Sequence, residues 1–200
     1  VLREVDVIAC EDTRRTRGLL THFGIHTPTV SYYEHNKLVR GPQLLRRLAE
    51  GGSVALVTDA GTPGISDPGF LLVHDAQAAG VRVVPVPGPS ALIAALSAAG
   101  VPADRFVFDG FLPVKPGRRL NRLKALRALE TTIVLYESPY RIVAALEAIA
   151  EVFGEVEIVV ARELTKQFEE IVRATPSAHV ARLRAGVIRG EFVVVVPAAG

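Results

Sequence analysis

Residues 54–91 read VALVTDAGTPGISDPGFLLVHDAQAAGVRVVPVPGPSA. Two short β-branched runs, 54–58 and 81–86, each end in a loop crowded with Gly, Pro and small polar residues. Each loop then leads into an apolar helical pattern. Loops after the carboxyl ends of neighbouring parallel strands are where open α/β sheets bind ligands. Gly61 and Gly88 let the backbone approach a ligand with no side chain in the way. Pro63, Pro68, Pro87 and Pro89 stiffen the loops in advance, which lowers the entropy lost on binding. Either loop alone reads equally as a tight βα turn. Two in succession point to a built pocket.

Outward from this stretch the pattern alternates. Strands are predicted over 5–9, 29–33, 54–58 and 81–86, and helices over 13–23, 38–50, 70–79 and 90–99. Such a βα array implies a mostly parallel sheet. The Val101-Pro102 pair breaks the pattern, which divides the chain into an N-terminal lobe, 1–102, and a C-terminal lobe, 103–200. In the second lobe strands are predicted over 106–108, 132–136, 157–161, 168–173 and 191–196, with helices over 119–129, 140–152 and 177–183. The runs 157–161 and 168–173 lie close enough for a hairpin, so this sheet is expected to be mixed. The fold class is α/β, with two lobes sharing a cleft.

Bulk properties narrow the function classes. The chain has 200 residues, 49% of them hydrophobic, enough to bury a real core. Its mean hydropathy of +0.30 excludes a disordered chain. No apolar run reaches membrane-spanning length and no signal-peptide pattern is present, so no membrane association is expected. A single cysteine, Cys10, allows no internal disulfide and suits the cytoplasm. Five scattered histidines show no metal-ligand spacing, so no metal is expected. The net charge of +2 says less than its distribution. Lys115, Arg118, Arg119, Arg122, Lys124 and Arg127 fall in one segment free of acids, and Arg118, Arg119 and Arg122 share a helix face at i, i+3 and i+4 spacing. Arg14, Arg15 and Arg17 form a second basic group. Each alone reads first as a solvated helix face. Two such groups beside a pocket suit an anionic polymer such as RNA.

Polar residues collect just after the predicted strands. Glu11, Asp12, Thr13 and Arg14 follow the first, Glu34, His35 and Asn36 the second, and Asp59 and Thr62 the third. In the second lobe Glu137, Ser138 and Arg141 follow one strand, and Arg162, Glu163, Thr165 and Lys166 another. Charges at such positions are costly to bury unless paired or functional. Helix capping is the plainer role for Asp12, Asn36, Ser90 and Ser138, the last with Pro139 at the first helical position. The chain carries no dinucleotide-binding glycine fingerprint, no phosphate-binding P-loop and no nucleophile elbow.

The segments CEDTRRTRGLLTHFGI (10–25), EHN (34–36), VALVTDAGTPGISDPG (54–69), VVPVPGPSALIAALSAAG (83–100), FVFDGFLP (106–113), LYESPYR (135–141), ARELTKQFEE (161–170) and RGEFVVVV (189–196) resemble, in order and spacing, the small-subunit ribosomal RNA methyltransferases of the tetrapyrrole methylase superfamily. The resemblance implies S-adenosylmethionine-dependent 2′-O-methylation of a cytidine ribose in 16S ribosomal RNA, possessed by a homodimer acting on RNA or on an assembled small subunit. It implies two α/β lobes with S-adenosyl-L-methionine held in the cleft between them. Gly61, Thr62, Pro63 and Ile65 would line the cofactor site with Pro87, Gly88, Ser90 and Ala91. Asp59 would stand at the sheet end of the first loop, and Tyr136, Glu137 and Leu164 would complete the site. Glu11, Asp12, Arg14, His35 and Asn36 are placed for substrate, with Arg118, Arg119 and Arg122 on phosphates. Glu163 and Lys166 are the expected catalytic pair. The family begins with a further strand and a Pro-Thr-Pro-Ile-Gly-Asn type loop, which this chain starts after, and it carries a helical tail beyond the final strand. Tyr33 stands where the family often has a histidine. The alternatives are a superfamily methylase acting on a small molecule such as a tetrapyrrole, and a truncated, non-catalytic RNA-binding form.

Overall fold

The computed structural model describes residues 1–198. These residues form two compact units that divide between Pro89 and Ser90. In the first unit the elements are β1 (Val7–Cys10), α1 (Thr13–His22), β2 (Thr29–Ser31), α2 (Lys37–Ala49), β3 (Val54–Val57) and α3 (Phe70–Ala78). The sheet order is β2-β1-β3 and every pairing is parallel, as the βα alternation implied. β1 holds the centre because VIAC is apolar throughout and can be covered on both faces. Its core is Val7 and Ala9 with Tyr32, Leu44 and Leu72. The carboxyl ends of the three strands therefore point to one edge, and the loops after them gather there.

The predicted strand over 81–86 does not form. Residues 81–90 carry no regular structure, and Val83, Val84 and Val86 are exposed. Pro85 and Pro87 supply no amide donors, and a β-branched run without a paired neighbour has no ladder to join.

The second unit begins with α4 (Ala91–Ala99), which the sequence reading had given to the first lobe. Its residues ALIAALSAA are small and apolar, so the helix lies flat on a sheet. Leu92, Ala95, Leu96 and Ala99 pack on Val134, Val159, Ala161, Val193 and Val195. That packing groups α4 with the second unit, whereas the expected division lay at 102.

The remaining elements are β4 (Phe106–Phe111), α5 (Pro116–Arg127), β5 (Thr132–Glu137), α6 (Ile142–Phe153), β6 (Ile158–Arg162), β7 (Glu170–Ala174), α7 (Pro176–Arg184) and β8 (Phe192–Val196). The sheet order is β4-β5-β8-β6-β7. β4 and β5 run parallel, while the other three pairings are antiparallel, and β6–β7 is the expected hairpin. β8 sits in the middle. Its Val193 and Val195 face α4, while Phe192, Val194 and Val196 face the core under α5, α6 and α7. Burying each such side chain stabilises the fold by about 1.5–3 kcal/mol. Among the described residues no helix is long and apolar enough to cross a membrane.

Candidate functional site

At the strand-end edge of the first unit, the residues singled out from sequence divide into engaged and free groups. Asp12 caps α1, accepting the Arg14 amide at 2.8 Å, and its carboxylate also holds the Arg14 guanidinium at 3.0 Å. Those hydrogen bonds pull the Asp12 carboxyl down to about 2. Arg14 and Asp12 therefore neutralise one another. Asn36 is engaged too, but not as a cap: its Oδ1 accepts the Tyr33 amide at 2.8 Å and its Nδ2 donates to the Ser31 hydroxyl at 2.8 Å. His35 stays exposed, its ring edge-on to Tyr33 at 6.0 Å.

The loop after β3 starts at Thr58, whose hydroxyl is buried without a partner. Asp59 follows and receives a hydrogen bond from Arg15 of α1 at 3.2 Å. Partial burial, and then the negative charges of Asp59 and Asp67, push the Glu11 carboxyl up. The chain turns back at Gly69, where φ is 152° and a Cβ would lie 3.1 Å from both the Gly64 nitrogen and a Leu56 methyl. Only glycine permits that closure. The Thr62 hydroxyl donates to the Pro89 carbonyl at 3.3 Å and so ties the 61–65 loop to the 87–89 loop. Gly61, Ile65, Pro87 and Gly88 are exposed. The result is a stiff polar backbone surface with few side chains on it, suited to a ligand read by main-chain groups.

In the second unit the end of β5 is a packed polar knot. The Tyr136 hydroxyl accepts the Leu92 amide at 3.1 Å in the first turn of α4, and its ring stands edge-on to Phe108 and Phe111. Ser90 precedes that helix without a side-chain capping bond, and Ala91 is its first residue. Glu137 is 2% exposed. Its Oε1 accepts the Ser138 amide at 2.9 Å, and its Oε2 lies 3.4 Å from Arg141. Burial pushes the Glu137 carboxyl up, opposed by the Ser138 amide and by Arg141 and Arg119. Ser138 caps nothing: α6 starts only at Ile142, and residues 138–141 form a turn closed by the Arg141 and Ile142 amides on the Ser138 carbonyl.

The basic face predicted on α5 is dismantled by the same packing. Arg119 is buried and points inward with Leu123 and Leu126, and Arg122 grips the Asp109 carboxylate. Arg118 and Arg122 both stay exposed, and of the two only Arg118 is free of a carboxylate partner. Apolar spacing at Leu120, Leu123 and Leu126 decides which side turns in and carries Arg119 with it, a signal the charge count hid.

The loop after β6 carries Glu163, Leu164, Thr165 and Lys166. Glu163 and Thr165 have positive φ, 49° and 67°. Leu164 packs on the α4 side of the core. The Glu163 Oε1 accepts from Lys166 Nζ at 2.8 Å and from the Glu191 amide at 3.0 Å. Lys166 Nζ also reaches the Glu191 carboxylate at 2.8 Å. The Lys166 ammonium, then the Glu191 amide, hold the Glu163 carboxyl below its usual range, and the two carboxylates hold Lys166 above its own. The sequence reading brought Glu163 and Lys166 together but missed Glu191, which lies just before the last strand. The Gly190-Glu191 pair ahead of a β-branched run was its only signal.

Residues 1–178 match the family described as Tetrapyrrole (Corrin/Porphyrin) Methylases. The chain is 50% identical over its whole length to a protein of Xylella fastidiosa named ribosomal RNA small subunit methyltransferase I, spanning 74% of that protein. It is 52% identical, over 98% of its length and 71% of the relative's, to the protein of the same name from Pseudomonas aeruginosa. Among solved structures, diphthine synthase superposes with a TM-score of 0.73 at 19% identity, covering 98% of this chain and 81% of that one. The cobalt precorrin-4 methyltransferase superposes at 0.70 and 20% identity, covering 97% and 84%. These two show a shared fold. The full-length match to close relatives carries the assignment: the chain belongs to the tetrapyrrole methylase family.

Proposed function

We propose that the chain is an S-adenosylmethionine-dependent methyltransferase that modifies small-subunit ribosomal RNA, at the ribose 2′-hydroxyl of a cytidine. The observation that carries this reading is half identity, along the whole chain, to relatives named for that RNA. The loops of the first unit support the cofactor. Thr62 joined to Pro89 gives a backbone cradle, Gly61, Ile65, Pro87 and Gly88 are exposed with Pro63 half-buried between them, and Thr58 offers an unmet hydroxyl at its head. Asp59, fixed by Arg15, gives the cradle a negative flank for a cationic ligand. Tyr136, Glu137 and Leu164 are each engaged in packing or hydrogen bonding within the second unit.

S-adenosylmethionine supplies a methyl group activated by a sulfonium, which leaves with the electrons of its carbon–sulfur bond. Glu163 would accept a hydrogen bond from the attacking hydroxyl and take its proton as the carbon–oxygen bond forms. Both internal bonds to its carboxylate fall on Oε1, which directs Oε2 to this task. Lys166 would hold that carboxylate in place and keep it ionised. Arg118 and His35, both exposed and without a carboxylate partner, would contact phosphate and substrate. A homodimer and a cytoplasmic location belong to the same reading. Leu38, Val39 and Phe70, exposed at the starts of α2 and α3, offer apolar surface for a second copy.

The test is methyl transfer from radiolabelled S-adenosylmethionine to small subunits and to free 16S ribosomal RNA. Alkaline hydrolysis then reports the position, because a 2′-O-methylated ribose resists cleavage. Label in an alkali-resistant cytidine dinucleotide is the expected result. Label on a base, or none on either substrate, overturns the reading.

A further inference from the structure

We propose that Tyr140 is a stacking platform for an unpaired RNA base, with Lys115 and Arg118 taking the neighbouring phosphates. This rests on the ribosomal RNA reading and names a contact within it. Tyr140 is 96% exposed, so folding gains almost nothing from its ring. The backbone beneath it is nevertheless firmly held. The Arg141 and Ile142 amides close on the Ser138 carbonyl at 3.1 and 3.0 Å, and the Ser138 amide is held by Glu137. Pro139 stiffens the same turn. An aromatic ring presented to water on a rigid turn is already arranged for a flat partner, which reduces the ordering cost of binding.

The surroundings select an anionic partner. The Arg141 guanidinium bonds the Leu112 carbonyl, which sets the Tyr140 turn beside the segment leading to Lys115. Lys115 and Arg118 are exposed at the start of α5 and have no partner among the described residues. Their neighbours Arg119, Arg122 and Arg127 are spent on burial, on Asp109 and on the Val152 carbonyl. Neither α5 nor α6 has an acid in its first turn, so the start of α6 adds positive potential next to Tyr140 and the start of α5 adds it at Lys115 and Arg118. Cations beside an exposed aromatic form the pattern that binds single-stranded nucleic acid, where the base is free to stack and phosphates follow the charge. A duplex hides its base faces and would meet only the cations.

The experiment measures affinity of the full chain for a short single-stranded oligocytidylate and for an A-form RNA duplex of equal length. Tyr140→Ala is expected to weaken single-strand binding about tenfold and leave duplex binding unchanged, while Tyr140→Phe keeps both. The chain contains no tryptophan. Tyr140→Trp therefore places a single indole at the platform, and its emission should be quenched as the single strand saturates. Equal affinity of Tyr140→Ala, equal losses on strand and duplex, or unquenched emission overturns the stacking role alone, provided the unaltered protein binds RNA. If the unaltered protein binds neither RNA, the ribosomal RNA reading falls with it. Binding that ignores salt would remove Lys115 and Arg118 as phosphate contacts and also overturn the proposal.

Discussion

Gly190 makes room for Glu163. A Cβ at position 190 would lie 2.6 Å from the Glu163 carboxyl carbon and 2.7 Å from Oε1, and the backbone there has φ of 87°. Gly190→Ala is therefore expected to push the carboxylate away from Lys166 and strain the backbone, at about 1–3 kcal/mol of stability. Chemical denaturation measures the loss. Loss of methyl transfer in excess of the loss of folded protein would place the damage at Glu163.

Lys166 lowers the Glu163 carboxyl, so its removal should let that carboxyl rise. Under the proposed mechanism, Lys166→Met shifts the acid limb of the pH–rate profile to higher pH. The ionised carboxylate is then available over a narrower range. A profile that only scales down, with its limb unmoved, would separate Glu163 from the proton transfer.

His179 is wholly buried, with Nδ1 unpartnered and Nε2 3.4 Å from the Ile158 carbonyl. Burial, and then the nearby Arg182 charge, hold its imidazole below the ordinary value near 6.5. Above that value both folded and unfolded chains carry a neutral ring, and the contribution to stability is full. As pH falls through it, the unfolded chain binds the proton first, so stability declines. Denaturation midpoints from pH 8 to pH 5 should show the decline, and His179→Gln should flatten that part of the curve.

Arg118 and Arg122 look alike in the sequence and should behave differently. Arg118→Ala should weaken RNA binding and reduce the steepness of its salt dependence by about one counterion. Arg122→Ala should leave that slope unchanged. It removes the partner of Asp109, whose side chain is only 10% exposed, and should cost about 1–3 kcal/mol of stability. Affinity at several salt concentrations and one denaturation series decide both.

Periodicity carried most of the fold. The strands β1 to β3, the β6–β7 hairpin and the helices α1 to α3 and α5 to α7 lie close to where apolar spacing put them. The reading failed at 81–86, where strand-forming valines alternate with prolines and no ladder is offered; it found α4 as a helix but grouped it with the first lobe, because its partner sheet comes later in the chain. Both failures share a cause: pairing and packing depend on distant residues, which local spacing does not encode. The site followed the same rule. Asp12 capping α1 was visible two residues away from its partner. The Asp109 hold on Arg122, the Arg15 hold on Asp59 and the Glu191 contact with Glu163 join residues far apart in sequence.

The place of β8 has a consequence for synthesis. The last described strand lies between β5 and β6, so a nascent chain still lacking residues 192–196 holds both of their inner edges open. Open edges invite pairing with other chains. The sheet of the first unit needs no such late segment, because β1, β2 and β3 pair with one another within residues 7–57. The second must wait for its final segment. Stalled or nicked products ending before 192 should therefore be the species that chaperones and proteases capture, with the first unit folded and the second exposed.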